Sequence, residues 1–195
     1  IKELLKLIGM NFQYDDIFFL KNQKINQKKV NLIPNYSILH FDEKWIYEDY
    51  IKNYTSIQPE DKEFEIFIEN VLKKLGQNLI ISTGIKINKI LLNYLKKLNK
   101  VNENLYEKNI SGKIIQVYIN IDFLELNFLI KNCNQIITCH GASTHVASAC
   151  DKKILDIYDK SQEEFYSKWN SHINNYYSFY RENFSNLSQK IINKL

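Results

Sequence analysis

The densest run of chemistry-bearing side chains is Thr138-Cys139-His140-Gly141-Ala142-Ser143-Thr144-His145-Val146-Ala147-Ser148-Ala149. It reads as a strand that enters a glycine turn and continues as a helix of small residues. Backbone N–H groups at such a helix start have no intrahelical acceptor and attract anions. Gly141 and Ala142 let the backbone come close to a ligand, while Ser143 and Thr144 add hydroxyls. His145, in the first helical turn, can donate to a phosphate oxygen as a neutral tautomer or as a cation. Two of the chain's four histidines, His140 and His145, fall in this turn. A Ser/Thr-capped helix with two incidental histidines would carry the same residues. The concentration of histidine at a strand end favours function.

The elements that must position this turn are legible as an alternation. Strands are expected at Tyr36–Phe41, Asn78–Ser82, Ile114–Ile119, Gln135–Cys139 and Lys153–Tyr158. Helices are expected at Glu43–Asn53, Glu60–Leu75, Ile85–Leu98, Asp122–Asn132 and Ala142–Cys150, with Gly76 ending the second and Asp122 capping the fourth. Such spacing implies βαβ crossovers and a parallel sheet, so the fold class is α/β and Rossmann-like. Ligands of these sheets bind beyond the carboxyl ends of the strands. That rule selects His40 to Trp45, Ser82-Thr83-Gly84, Asn120 to Glu125, and Cys139 to His145.

Bulk properties exclude several classes. With 195 residues, 45% hydrophobic and 25% charged, the chain suits one ordinary folded domain and a piece of a second. Five Gly and two Pro rule out a fibrous or low-complexity chain. The net charge of +4 is interspersed rather than blocked, so no nucleic-acid partner is expected. Three cysteines, Cys133, Cys139 and Cys150, offer neither a disulfide framework nor a Cys-x-x-Cys zinc pair, and no metal site is expected. No apolar run is long enough to span a bilayer, and the opening residues carry no signal-peptide pattern. The division expected is 1–34 as the remnant of an N-terminal domain and linker, 35–160 as a Rossmann-like domain, and 161–195 as C-terminal helices packing back on the domain or cleft. Within the first part, Leu4 to Gly9 suits a short helix, Ile17–Leu20 a strand, and Lys21 to Lys29 a linker. The chain is therefore read as a piece of a longer one.

Around residues 36–160 the sequence resembles glycosyltransferase family 9, the lipopolysaccharide heptosyltransferases, in the C-terminal donor-binding half of a GT-B fold. Gly141 and the run His145-Val146-Ala147-Ser148-Ala149 fit that family's turn of an acidic residue, Ser/Thr, Gly, two variable residues and His followed by small residues. Two departures stand out. Cys139 holds the acidic position, and the step from Gly141 to His145 is one residue longer. The His-Gly-Ala start is also similar to other GT-B transferases. Phe123-Leu124-Glu125 looks like the family's segment before its last core strands, which would place Glu125 on the ribose hydroxyls. An acidic first-turn residue favoured by the helix dipole explains Glu125 equally. His40-Phe41-Asp42-Glu43-Lys44-Trp45 matches a loop near the donor phosphates. There Lys44 would neutralise diphosphate charge in place of a metal ion, while Trp45 suits the core better. Ser82-Thr83-Gly84 matches a glycine-bearing turn facing the donor.

The resemblance implies a metal-independent, inverting transferase that uses a nucleotide-diphosphate-sugar as donor substrate, without a cofactor. The acceptor would be a glycan or a lipid-linked, lipopolysaccharide-type molecule. The family's base usually lies on the missing N-terminal domain; within this chain Asp42 is the candidate. The resemblance also implies a cytoplasmic protein in peripheral contact with the inner membrane. A non-catalytic Rossmann-like module for a nucleotide or a partner is the alternative. A dinucleotide oxidoreductase lacks its Gly-x-Gly-x-x-Gly turn. A Cys-His hydrolase would need Cys139 and His140 to converge, though adjacent strand residues point apart. Arg181, the chain's one arginine, reads as a surface charge.

Overall fold

The computed structural model describes residues 9, 30–46, 54–84 and 86–195. The expected helix up to Gly9, the strand Ile17–Leu20, the linker Lys21 to Lys29 and most of the helix Glu43–Asn53 lie outside the described residues. Within that last span, residues 43–46 are described: they form a single 3-10 turn at Glu43–Trp45, capped by the Asp42 carboxylate, which accepts from the Lys44 amide, and the turn ends at an extended Ile46 where a helix was expected.

Eight strands form one sheet among the described residues. They are β1 (Tyr36–His40), β2 (Asn78–Ser82), β3 (Asn99–Lys100), β4 (Leu105–Ile110), β5 (Lys113–Tyr118), β6 (Gln135–Cys139), β7 (Lys153–Tyr158) and β8 (Tyr176–Tyr180), in the order β3-β4-β5-β2-β1-β6-β7-β8. From β5 to β8 all neighbours are parallel, and β3 and β4 close one end antiparallel. The helices are α1 (Asp61–Leu75), α2 (Lys89–Leu95), α3 (Phe123–Asn132), α4 (Ala142–Ala149), α5 (Glu163–Asn170) and α6 (Phe184–Lys194). This is the expected α/β Rossmann-like class.

Residue type explains the central strands. Ile38, Leu39, Ile80, Ile81, Ile136 and Ile137 are wholly buried, because helices cover both faces of a parallel sheet. One core lies between the sheet and α1, α2 and α6, where Phe64, Phe67, Val71, Leu91, Phe184 and Leu187 pack. A second lies beneath α3 and α4, where Leu129, Ile130, Val146 and Ala147 pack on Ile38, Ile136 and Ile154. Gly76 ends α1 in the left-handed region at φ 63°, donating its amide to the Leu72 carbonyl.

Two expectations are corrected. The segment 99–110 had no assigned structure, yet it forms β3 and β4 at the half-solvated end. The stretch 161–195 read as helical, yet Tyr176–Tyr180 adds β8 beside β7, where its aromatics suit a pleated, half-buried surface. The tail thus completes the sheet, and α6 packs against α1 through Phe67 and Phe184, whose rings meet edge to face.

Candidate functional site

The sheet order fixes where a ligand belongs. From β1 the chain runs to β2 and on to the β3 end, then returns to β6 on the other flank of β1. The switch point is therefore the crevice beyond the carboxyl ends of β1 and β6. His40 ends β1 and Cys139 ends β6, with His40 in register with Thr138. A cavity of about 640 Å³ opens there, lined among others by Lys44, His140, Gly141, His145, Tyr166 and Arg181.

Lys44 and Gly141 meet in this crevice. A Cβ placed on Gly141 would lie 2.3 Å from the Lys44 Nζ, so glycine makes room for the ammonium. The ammonium is held by Asp42 at 3.2 Å. Burial is the largest single influence and pulls the Lys44 pKa down, but Asp42, by charge and hydrogen bond, together with Cys139 and Glu43 outweighs it and the net shift is upward, so Lys44 stays charged. The amides of Ala142 and Ser143 open α4 without intrahelical acceptors. Two cationic features of different origin, a side chain and a helix start, thus face one volume.

His140 is oriented from behind. Its Nδ1 donates to the Asp156 Oδ2 at 2.6 Å, as the acceptor dictates. Asp156 is wholly buried in β7 and also accepts from the Tyr176 hydroxyl at 2.7 Å and the Thr144 hydroxyl at 2.9 Å. The Asn170 amide in turn donates to the Tyr176 oxygen. A carboxylate in a strand interior persists only when its oxygens are satisfied, and this one takes three donors. The His140 ring packs on Tyr166, centroids 3.9 Å apart, and meets His145 edge-on at 5.4 Å. Partial burial and then the nearby His140 push the His145 pKa below its ordinary value.

The far wall is aromatic. Tyr158, Phe165, Tyr166 and Trp169 line the cavity with Tyr54. Phe165 and Trp169 stand one turn apart on α5, and each exposes more than half its surface, 53% and 56%. Their ring centroids are 5.8 Å apart.

Of the residues singled out in the sequence, Lys44, His140, Gly141, Ala142 and His145 line the cavity. Others do not. Thr144 turns inward, accepting from the Gly141 amide at 3.2 Å while donating to Asp156. Ser143 is buried and Ser82 is wholly buried, its hydroxyl 2.9 Å from the His40 Nδ1. Thr83 is buried with its hydroxyl unpaired, and Gly84 gives way to Glu43, whose Oε2 would lie 1.9 Å from a Cβ there. Asp42 is buried, caps the 3-10 turn and pairs with Lys44, and it is not among the residues that line the cavity. Glu125 forms a reciprocal cap with Asp122 and borders a separate cavity of about 350 Å³ near β4 and β5. Trp45 is buried as expected, donating to the His40 carbonyl.

The sequence reading missed Asp156, Tyr166, Trp169 and Arg181. An aspartate inside Ile154-Leu155-Asp156-Ile157 was the available signal, since an apolar central strand has no free place for a charge. Arg181 was read as a surface charge, yet it is buried, 7% exposed. Cys139 is 1% exposed, and burial raises its thiol pKa well above the ordinary value, which removes the thiolate a Cys-His hydrolase needs. All three cysteines are free and buried. Among the described residues there is no group of three or more His, Cys, Asp or Glu placed to hold a metal ion, and no helix long and apolar enough to cross a membrane.

No protein-family model matches the chain, and no curated protein matches it. The fold is similar to that of Methanocaldococcus jannaschii UDP-GlcNAc 2-epimerase, solved in complex with UDP-GlcNAc and UDP. The TM-score is 0.53 at 15% sequence identity, over 97% of this chain and 42% of that one. The chain thus spans about two-fifths of the length of that enzyme. The shared feature is the fold.

Proposed function

We propose that this chain is the donor-binding half of a GT-B-type glycosyltransferase, and that its cavity holds a nucleotide-diphosphate-sugar. The observation that carries the reading is the meeting of Lys44 with the start of α4 at the switch point, opposite an aromatic wall. A diphosphate suits the cationic side and a ring suits the aromatic side. The likeness to an enzyme solved with UDP-GlcNAc and UDP supports the same ligand class.

In this reading the sugar–phosphate bond breaks with its electron pair leaving on the diphosphate, while the acceptor hydroxyl attacks the opposite face. The amides at Ala142 and Ser143, the Lys44 ammonium and the His145 ring stabilise the departing charge, each already in place before reaction. The acceptor would be a glycan or lipid-linked, lipopolysaccharide-type molecule, and the base would come from the remaining part of the enzyme. A heptosyltransferase is the finer form of the reading, carried by Gly141 and His145-Val146-Ala147-Ser148-Ala149.

Titration calorimetry of the chain against ADP, GDP, UDP, CDP and their sugars tests it, with His145→Ala as control. Selective binding of one nucleotide, weakened in the variant, is the expected result. A chain that binds none of them sinks the donor-site reading. Binding without turnover, in a full-length protein supplied with acceptors, favours the non-catalytic module.

A further inference from the structure

Arg181 follows β8, and its amide donates to the Tyr158 carbonyl. The side chain lines the cavity. Its Nε donates to the Thr55 carbonyl at 2.9 Å and its Nη2 to the Lys44 carbonyl at 2.9 Å, and Nη1 lies 3.9 Å from the Cys139 sulfur. These acceptors are neutral. Among the described residues no carboxylate lies within 4 Å of the guanidinium, whereas Lys44 has Asp42 and His140 has Asp156. Asp159 feels the guanidinium from further off, while its own oxygens accept from the Thr55 and Ser161 amides and the Ser161 hydroxyl.

A buried guanidinium with no carboxylate in contact is costly, and a ligand anion would supply the missing partner. Guanidinium has five N–H donors in a fixed fork matched to phosphate and carboxylate. The three protein contacts leave two N–H groups unassigned, and the side chain lines the cavity.

We propose that Arg181 is an oxyanion-binding residue of this cavity, its rigidly held guanidinium taking a phosphoryl or carboxylate group of the bound ligand. This rests on the donor-site reading and deepens it. The ligand then meets two separate positive positions, the start of α4 with Lys44 and the Arg181 fork. A diphosphate satisfies both through its two phosphoryl groups. A monophosphate attached to an acidic sugar satisfies them through one phosphoryl and one carboxylate.

The test compares the whole chain with Arg181→Lys and Arg181→Met by calorimetry, using inorganic pyrophosphate, nucleoside diphosphates, nucleoside monophosphates with and without a linked sugar acid, and unphosphorylated nucleosides. The expected result is a loss of about tenfold or more in pyrophosphate and diphosphate affinity for Met, with partial retention for Lys, and unchanged nucleoside affinity. The salt dependence of diphosphate binding should flatten in the Met variant, which a purely structural role for Arg181 would not cause. Equal affinity of wild type and Met for every one of these anionic probes, with only the melting temperature lowered, overturns the inference and leaves the donor reading standing. Arg181-dependent binding of pyrophosphate without any nucleotide binding does the reverse. Wild-type preference for diphosphate over monophosphate identifies a second phosphoryl as the group taken; a preference for monophosphate linked to a sugar acid identifies the carboxylate.

Discussion

The Lys44 ammonium occupies the space that a side chain on residue 141 would fill. Ninety-seven positions apart, the two meet because β1 and β6 are sheet neighbours. Gly141→Ala should therefore displace the ammonium while leaving the backbone unstrained, since its φ of 163° is ordinary extended geometry. Nucleoside diphosphate affinity should fall about tenfold with the melting temperature little changed. Unaltered affinity by calorimetry would show that Lys44 does not serve the ligand.

Asp156 is the hub behind His140. Removing it as Asp156→Ala strands the Tyr176 and Thr144 hydroxyls and the His140 N–H in a dry environment. A loss of about 3–5 kcal/mol is expected from urea unfolding. Asp156→Asn, which keeps the shape and part of the bonding, should cost clearly less. If the Ala variant unfolds at the same urea concentration as wild type, the network contributes nothing to stability.

Histidine 40 sets an acid limit. Burial, only partly offset by Asp42, lowers its pKa below the ordinary value. The unfolded chain then binds more protons than the folded one as pH drops, so stability is full above about 6.5 and declines below it. Partial burial gives His145 the same sign. Unfolding free energies measured from pH 7.5 to 5 should fall for wild type and fall less steeply for His40→Gln. Parallel curves would refute the assignment.

Trp169 exposes 56% of its surface at the cavity rim. Trp169→Ala should change stability by no more than about 0.5 kcal/mol, yet weaken nucleotide binding about tenfold if a ring stacks there. Quenching of tryptophan fluorescence on titration gives an independent readout. Full affinity in the variant would remove Trp169 from the site.

Much of the parallel sheet was legible because its strands are apolar runs bounded by helices of regular period; β2, β6 and β7 fall where the residues place them. The antiparallel end was not, since Asn99 and Lys100 are exposed and Leu105–Ile110 is buried at Leu105 alone. Such an edge strand shows no clean alternation to read. The Tyr176–Tyr180 strand was passed over because aromatics suit helix faces and strands alike. Within the site, the turn at Gly141 could be read locally, being one continuous segment. Arg181 could not, because its meaning comes from the carbonyls of Lys44 and Thr55, more than 120 positions away. Ser82 and Thr144 are each engaged by a partner on another strand, His40 and Asp156, that sequence alone does not reveal.

The antiparallel end of the sheet offers a use of its own. Ile110 and Lys113 pair across a two-residue turn, Ser111-Gly112, whose φ values of 50° and 79° match the tight hairpin geometry. No residue of β3, β4 or β5 lines the 640 Å³ cavity. A fluorophore, affinity handle or surface tether attached at Ser111 would therefore sit three strands or more away from β6, leaving the cavity mouth unobstructed for any ligand presented to it.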